Sequence, residues 1–266
     1  MTKTTRWPWA AALLFVAQTV FAQGNPTGAV SGQVVDPEGL ALPGVAVTAA
    51  SPGTIALFFD NHHYADEEAY VLALAGAMRE EYEHVVDAGF VLQLDCPDLG
   101  FALHRERVEL HLAALDAALS NVPPDQVRLH VCYGNYEGPH HKDPTLASLV
   151  PLLLRARPAA ISFVAANPRH EHEWKVFETV KLPPGKILVP GVIDSTTNFI
   201  EHPELVAERI VRLAKCVGRE NVIAGTDCGV GTFAGYREVE PDIAWAKLRS
   251  LVEGARLATA ELWRRG

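Results

Sequence analysis

From residue 66 onward, stretches with apolar residues at helical spacing alternate with short runs that are apolar throughout. Asp66, followed by Glu67 and Glu68, predicts a helix start: an Asp side chain caps free amides, and carboxylates suit the positive end of the helix dipole. Tyr70, Leu74, Met78, Tyr82 and Val85 then mark one face, and Gly89 ends the helix. Val108, Leu112, Leu115 and Leu119 mark a second helix. A third opens at Pro203, carries Val206, Ile210, Leu213 and Val217 on one face and stops at Gly218. Between them lie apolar runs of strand length at 90–95, 127–132, 161–166, 187–194 and 222–227. Strands apolar on both faces that alternate with helices predict a parallel sheet. The runs start 37, 34, 26 and 35 residues apart, near the roughly 31 residues per unit of a (β/α)8 barrel. An open doubly wound sheet has similar spacing. The barrel is favoured because each run ends in or beside polar chemistry: Asp95, His130 with Cys132, Val164 beside Asn167, Asp194, and Asp227 with Cys228. Strand ends meet at one mouth in a barrel. The expected fold class is therefore α/β, a partial TIM-type barrel with five to six of eight strands.

The first 53 residues read differently. Lys3 and Arg6 precede an apolar run from Trp9 to about Phe21, and Val20-Phe21-Ala22 offers a cut before Gln23. That layout predicts a signal peptide over 1–22, hence export or a periplasmic location, with no membrane span after its removal, whereas a thiol-bearing body judged alone points to the cytoplasm. Val30 to Val35 and Val45 to Ala49 predict two strands around an Asp36-Pro-Glu-Gly39 turn. Ser31-Gly-Gln-Val-Val-Asp36 and Leu42-Pro-Gly-Val-Ala-Val-Thr48 resemble the start of a carboxypeptidase regulatory-like domain, a small β-sandwich. The expected division is a signal peptide at 1–22, an incomplete regulatory-like segment at 23–53 and a barrel body at 54–266. The stretch Val45–Thr54 fits either a second strand of the sandwich or a first strand of the barrel.

Charge sharpens this picture. The formal net charge is −9, and the four charges before residue 54 cancel, so the body carries all of it. A body of that sign repels a phosphate backbone, which argues against nucleic acid as a partner. All 11 histidines and 4 cysteines also lie in the body. So few cysteines build no disulfide scaffold and point instead to thiol chemistry or metal ligation.

His130-Val-Cys132 puts an imidazole and a thiol on one face of a strand, and Cys228 can add a second thiolate from a later strand. Imidazole with thiolates is a zinc donor set, although a buried cysteine is commonly just a small apolar residue. The surrounding stretches are more specific. They include Gln93-Leu-Asp-Cys-Pro-Asp-Leu99, His130-Val-Cys-Tyr-Gly-Asn135, Phe163-Val-Ala-Ala-Asn-Pro-Arg-His170, Val189-Pro-Gly-Val-Ile-Asp194 and Gly225-Thr-Asp-Cys-Gly229. In this order they resemble the C-terminal barrel of cobalamin-independent methionine synthases, from about residue 47 to the end.

The resemblance implies Zn2+ held by His130, Cys132 and Cys228, and a 5-methyltetrahydropteroyltriglutamate–homocysteine S-methyltransferase type of reaction. Its partners would be a small-molecule thiol and a methyl-folate donor. Asp95 matches the aspartate that holds the substrate's amino group, and Asp194 ends the strand that follows in the substrate-binding pattern. The chain departs from the family twice. Val164 stands where the family has a glutamate ligand, and Asp194-Ser-Thr-Thr-Asn198 lacks the histidine that follows the aspartate in methionine synthases. The second departure leaves the particular thiol open.

The remaining candidates are expected to be structural. His170, Glu171, His172 and Glu173 read as a solvated helix start, and His62-His63 and His140-His141 as loop residues. Cys96 follows Asp95 without a ligand role, and Cys216 packs on a helix. Two other readings compete with the methyltransferase. One is a non-catalytic exported protein with a regulatory-like module and a relic barrel. The other is a barrel hydrolase using His130 and the strand-end aspartates, disfavoured because such sites prefer His-x-His and carboxylates to thiolates.

Overall fold

The computed structural model describes residues 45–101, 105–231 and 239–264. The expected signal peptide and the first strand of the regulatory-like segment lie outside these residues. The elements are β1 (Ala46–Ala50), α1 (Pro52–Phe58), α2 (Glu67–Asp87), β2 (Val91–Asp95), α3 (Pro97–Phe101), α4 (Arg105–Ala118), β3 (Val127–Val131), α5 (Leu146–Leu153), β4 (Ala160–Phe163), β5 (Ile187–Ile193), α6 (Pro203–Val217), β6 (Gly225–Thr226) and α7 (Pro241–Leu262). All strand pairs are parallel, and the strands lie side by side in chain order from β1 to β6. This is a six-stranded half-barrel that does not close on itself among the described residues. Among those residues, no helix is long and apolar enough to cross a membrane.

The stretch with two readings resolves as a barrel strand. Ala46–Ala50 pairs in register with Val91–Asp95, and Ser51 then caps α1 by accepting from Thr54 N. The expected boundary between residues 53 and 54 therefore falls inside α1. The last strand is shorter than its apolar run. Only Gly225–Thr226 pairs with β5, across a register shift between Gly191 and Ile193, while Val222 makes an isolated bridge to Leu188.

The helix signals act locally as their chemistry requires. Asp66 Oδ1 accepts from Ala69 N at 2.8 Å and starts α2. Gly218 follows α6 with φ 93°, a left-handed backbone that a side chain would strain.

Alternation along the strands separates two faces. Leu92, Leu94, Leu129, Val131, Ile161 and Phe163 pack with Val71, Ala75 and Tyr82 of α2, Leu112 and Leu115 of α4, and Leu149 and Leu153 of α5. The opposite face carries the polar residues. Asp95 lies opposite His130, His130 opposite Ser162, and Ser162 opposite Val189, so one row crosses four strands.

A buried ion pair fastens the C-terminal helix beneath β5. Lys247 of α7 is fully buried, and its Nζ donates to Glu201 Oε2 at 2.8 Å and to the Phe199 carbonyl. The other oxygen of Glu201 accepts from Asp194 N at 2.7 Å. Removing one partner of such a pair strands a buried charge, so Lys247→Ala is expected to cost about 3–5 kcal/mol. Urea unfolding checks this; a loss below about 1 kcal/mol would place the pair with weak surface bridges.

Candidate metal centre

His130 and Cys132 come from the end of β3 and Cys228 from just beyond β6, and the structure brings all three together. One ligand atom from each lies within 4.8 Å of the others. The two sulfurs are 3.7 Å apart. Two thiolates on a tetrahedral ion with bonds of about 2.3 Å would be separated by roughly 3.8 Å. His130 is buried, and its Nδ1 lies 3.2 Å from Ser162 Oγ. Its Nε2 is buried without a hydrogen-bond partner. An imidazole anchored through one nitrogen with the other left orphaned has the arrangement of a metal ligand and its outer partner. The donor set fits zinc.

The electrostatics favour one thiolate in the cluster. The contact with the Cys132 sulfur, with His130 nearby, pulls the Cys228 thiol below its ordinary pKa. The same contact, together with burial, pushes Cys132 up. Burial pulls His130 down, but the Cys228 sulfur and the Asp95 and Asp227 carboxylates outweigh it and leave His130 raised.

Cys228 is placed by its neighbour. Asp227 Oδ1 accepts from the Ala165 and Ala166 amides at 2.8 Å each, and Oδ2 accepts from Asn167 N at 2.9 Å. The carboxylate thus grips the turn after β4 and fixes the residue that follows it. Burial pushes the Asp227 carboxyl up to about 7 despite the three amides, and the charge of Asp194 adds to the rise. Gly191 makes this approach possible, because a Cβ there would overlap Asp227. Asn135 ties the rim together: its Nδ2 donates to the Gly229 carbonyl at 2.7 Å, and its Oδ1 accepts from Ser195 Oγ at 2.9 Å. The sequence showed Asn135 only as the last residue of a matching stretch.

Asp95 lies beside the cluster. Its Oδ1 is 4.0 Å from His130 Nε2 and is also buried without a hydrogen-bond partner. Burial raises its carboxyl above the usual range, with His130 partly offsetting the rise. Asp194 follows β5 but is partly committed, since its Oδ1 accepts from Thr196 N and Oγ1 at 3.1 and 3.0 Å. Val164 follows β4 and is buried in the apolar cluster, so it supplies no ligand.

One structural expectation needs correction. His170 and Glu173 are buried rather than a solvated helix start, with His170 Nδ1 2.9 Å from Glu173 Oε2. The two residues between them behave differently: Glu171 pairs with Arg209 and Arg212, and His172 is exposed. His140 is a loop residue but a buried one, 2.7 Å from Asp143, whereas His62, His63 and His141 are exposed. Cys96 belongs to the helix-facing core, and the Cys216 thiol donates to the Arg212 carbonyl within its own helix.

Comparison with known families agrees with this geometry. The sequence model described as "Cobalamin-independent synthase, Catalytic domain" matches residues 50–256. The chain belongs to this family. A methionine synthase of Saccharolobus islandicus is 31% identical over 224 residues, covering 83% of this chain and 60% of the relative. That of Sulfurisphaera tokodaii is 27% identical over 221 residues, covering 83% and 58%. The chain thus spans about 60% of the length of the curated relatives it matches. A B12-independent methionine synthase from a Shewanella species, solved in complex with selenomethionine, superposes with a TM-score of 0.68. At 22% identity, covering 82% of this chain and 63% of the other, that likeness establishes the fold. The half-barrel is therefore a form of the family's catalytic barrel.

Proposed function

We propose that the protein is a zinc-dependent methyltransferase-type domain that moves a methyl group from a methyl-folate to a thiol such as homocysteine. The observation that carries this reading is the meeting of His130, Cys132 and Cys228 around an orphaned imidazole nitrogen. Zinc held by these three residues would lower the pKa of a thiol and so supply a nucleophilic sulfur at neutral pH. Ser162 orients the His130 ring so that Nε2 faces the site. Asp95 offers a partly exposed carboxylate with one oxygen lacking a partner. A substrate ammonium group would satisfy it and turn the sulfur of an amino-acid thiol toward the three ligands. Asp194, just after β5, would limit the same mouth from the other side.

The competing reading is a non-catalytic exported protein with a regulatory-like module and a relic barrel. It rests on Val164 at the glutamate position. Elemental analysis and a methyl-transfer assay separate the two. The expected result is one zinc fewer per chain on Cys132→Ser, with homocysteine-dependent release of methyl from methyl-tetrahydrofolate. Zinc binding without any methyl transfer, across a panel of small thiols, would favour the relic.

A further inference from the structure

A second group of ligand-type side chains lies outside the His130 cluster. His140 Nδ1 is 2.7 Å and His170 Nε2 3.1 Å from the same oxygen, Asp143 Oδ2. The outer nitrogens are also engaged: His140 Nε2 lies 3.0 Å from the Tyr136 carbonyl and His170 Nδ1 2.9 Å from Glu173 Oε2. The other oxygen of Glu173 accepts from Leu146 N at 3.0 Å. His140 and His170 are buried, and the Tyr133 ring stacks on His170 with centroids 4.2 Å apart.

The donor count does not close with neutral rings. All four ring nitrogens face oxygen acceptors, yet a neutral imidazole carries a single N–H. A cation between the rings removes the conflict. His140 Nδ1 and His170 Nε2 then present lone pairs to it, and their remaining N–H groups donate to the Tyr136 carbonyl and Glu173. Those are the outer partners that metal-bound histidines ordinarily have. Two neutral histidines with Asp143 and Glu173 carry a charge that one divalent ion balances.

We propose that His140, Asp143 and His170 form a second metal site that takes a divalent first-row transition ion. One ligand atom from each residue lies within 4.8 Å of the others. Two histidines with one carboxylate suit a six-coordinate ion, whose neighbouring ligand atoms lie about 3 Å apart for bonds of about 2.1 Å. The site is structural. It joins the loop after β3 to the turn after β4, and it braces Tyr133, the residue next to Cys132. His140 has φ 47°, the one non-glycine residue with positive φ among the described residues, so its loop is held in an uncommon conformation where the ligand is needed. The proposal stands whether or not the thiolate site binds zinc.

The test loads the full chain with Co2+, because cobalt on thiolate gives a charge-transfer absorption that cobalt on imidazole and carboxylate lacks. About two ions per chain are expected, one of them carrying the thiolate band. Asp143→Asn keeps the side chain's shape and should remove the ion without the band, leaving the band intact. Cys132→Ser should do the reverse. His170→Gln is a second probe, with folding checked by circular dichroism. A single ion per chain that Asp143→Asn leaves in place would overturn the proposal, as would two ions retained in both Asp143→Asn and a folded His170→Gln. A parent without the thiolate band that loses its ion on Asp143→Asn would support this site while sinking the thiolate one.

Discussion

Replacing Cys228 with serine is expected to lower zinc affinity by more than the roughly 10–100-fold that loss of an outer partner costs. The sulfur is one of three ligand-type atoms that meet within 4.8 Å, and a serine hydroxyl does not ionise to take its place. The comparison that gives the number meaning is Ser162→Ala. Ser162 touches His130 only through Nδ1, so its loss should fall inside the 10–100-fold range. Asp227→Ala should act differently again. It strands the Ala165, Ala166 and Asn167 amides, and an unsatisfied buried donor costs about 1–3 kcal/mol. That variant should lose stability as well as zinc, because the turn it releases also positions Cys228. Competition with a chelating dye measures affinity, and urea unfolding measures stability. If Cys228→Ser and Ser162→Ala weakened zinc equally, the sulfur would not be a ligand.

The sequence made the sheet legible because parallel strands buried on both faces leave continuous apolar runs. Residues 127–132, 161–166 and 187–194 anticipate β3, β4 and β5 to within a few residues. The run at 222–227 overstates β6 because being apolar does not specify pairing. At this edge the register shifts beside Gly191, where Asp227 comes in close. The meeting of His130, Cys132 and Cys228 was legible through strand alternation, since His130 and Cys132 share a face and Cys228 follows a strand of its own. The cluster of His140, Asp143, His170 and Glu173 was not. Its residues lie in turns, where polar side chains read as solvated, and its two halves are 27 residues apart. The available signal was the repeated spacing of three: His140 with Asp143, and His170 with Glu173, each pair within hydrogen-bond reach. Burial of such loops depends on what packs over them, and local sequence does not encode that.

Val164→Glu is expected to tighten zinc binding by about 10-fold or more, equivalent to roughly 1.4 kcal/mol. Val164 lies two residues after Ser162, whose hydroxyl touches His130, and one residue before the amides that Asp227 holds. A carboxylate at that position would start just after β4, the strand paired with the β3 strand that carries His130. It would complete a shell of one imidazole, two thiolates and one carboxylate, and add the charge the site lacks. The same substitution puts a carboxylate where a buried valine packs in the apolar cluster, a costly exchange unless a cation pairs it. Without zinc the variant should therefore be less stable than the parent by about 1–3 kcal/mol. With zinc it should recover that loss, because an ion that binds only the folded chain stabilises it in proportion to affinity. Thermal unfolding with and without a chelator separates these effects. A variant destabilised to the same extent under both conditions, with zinc affinity equal to the parent's, would mean that residue 164 does not face the ion, and would remove the glutamate position from the account of this site.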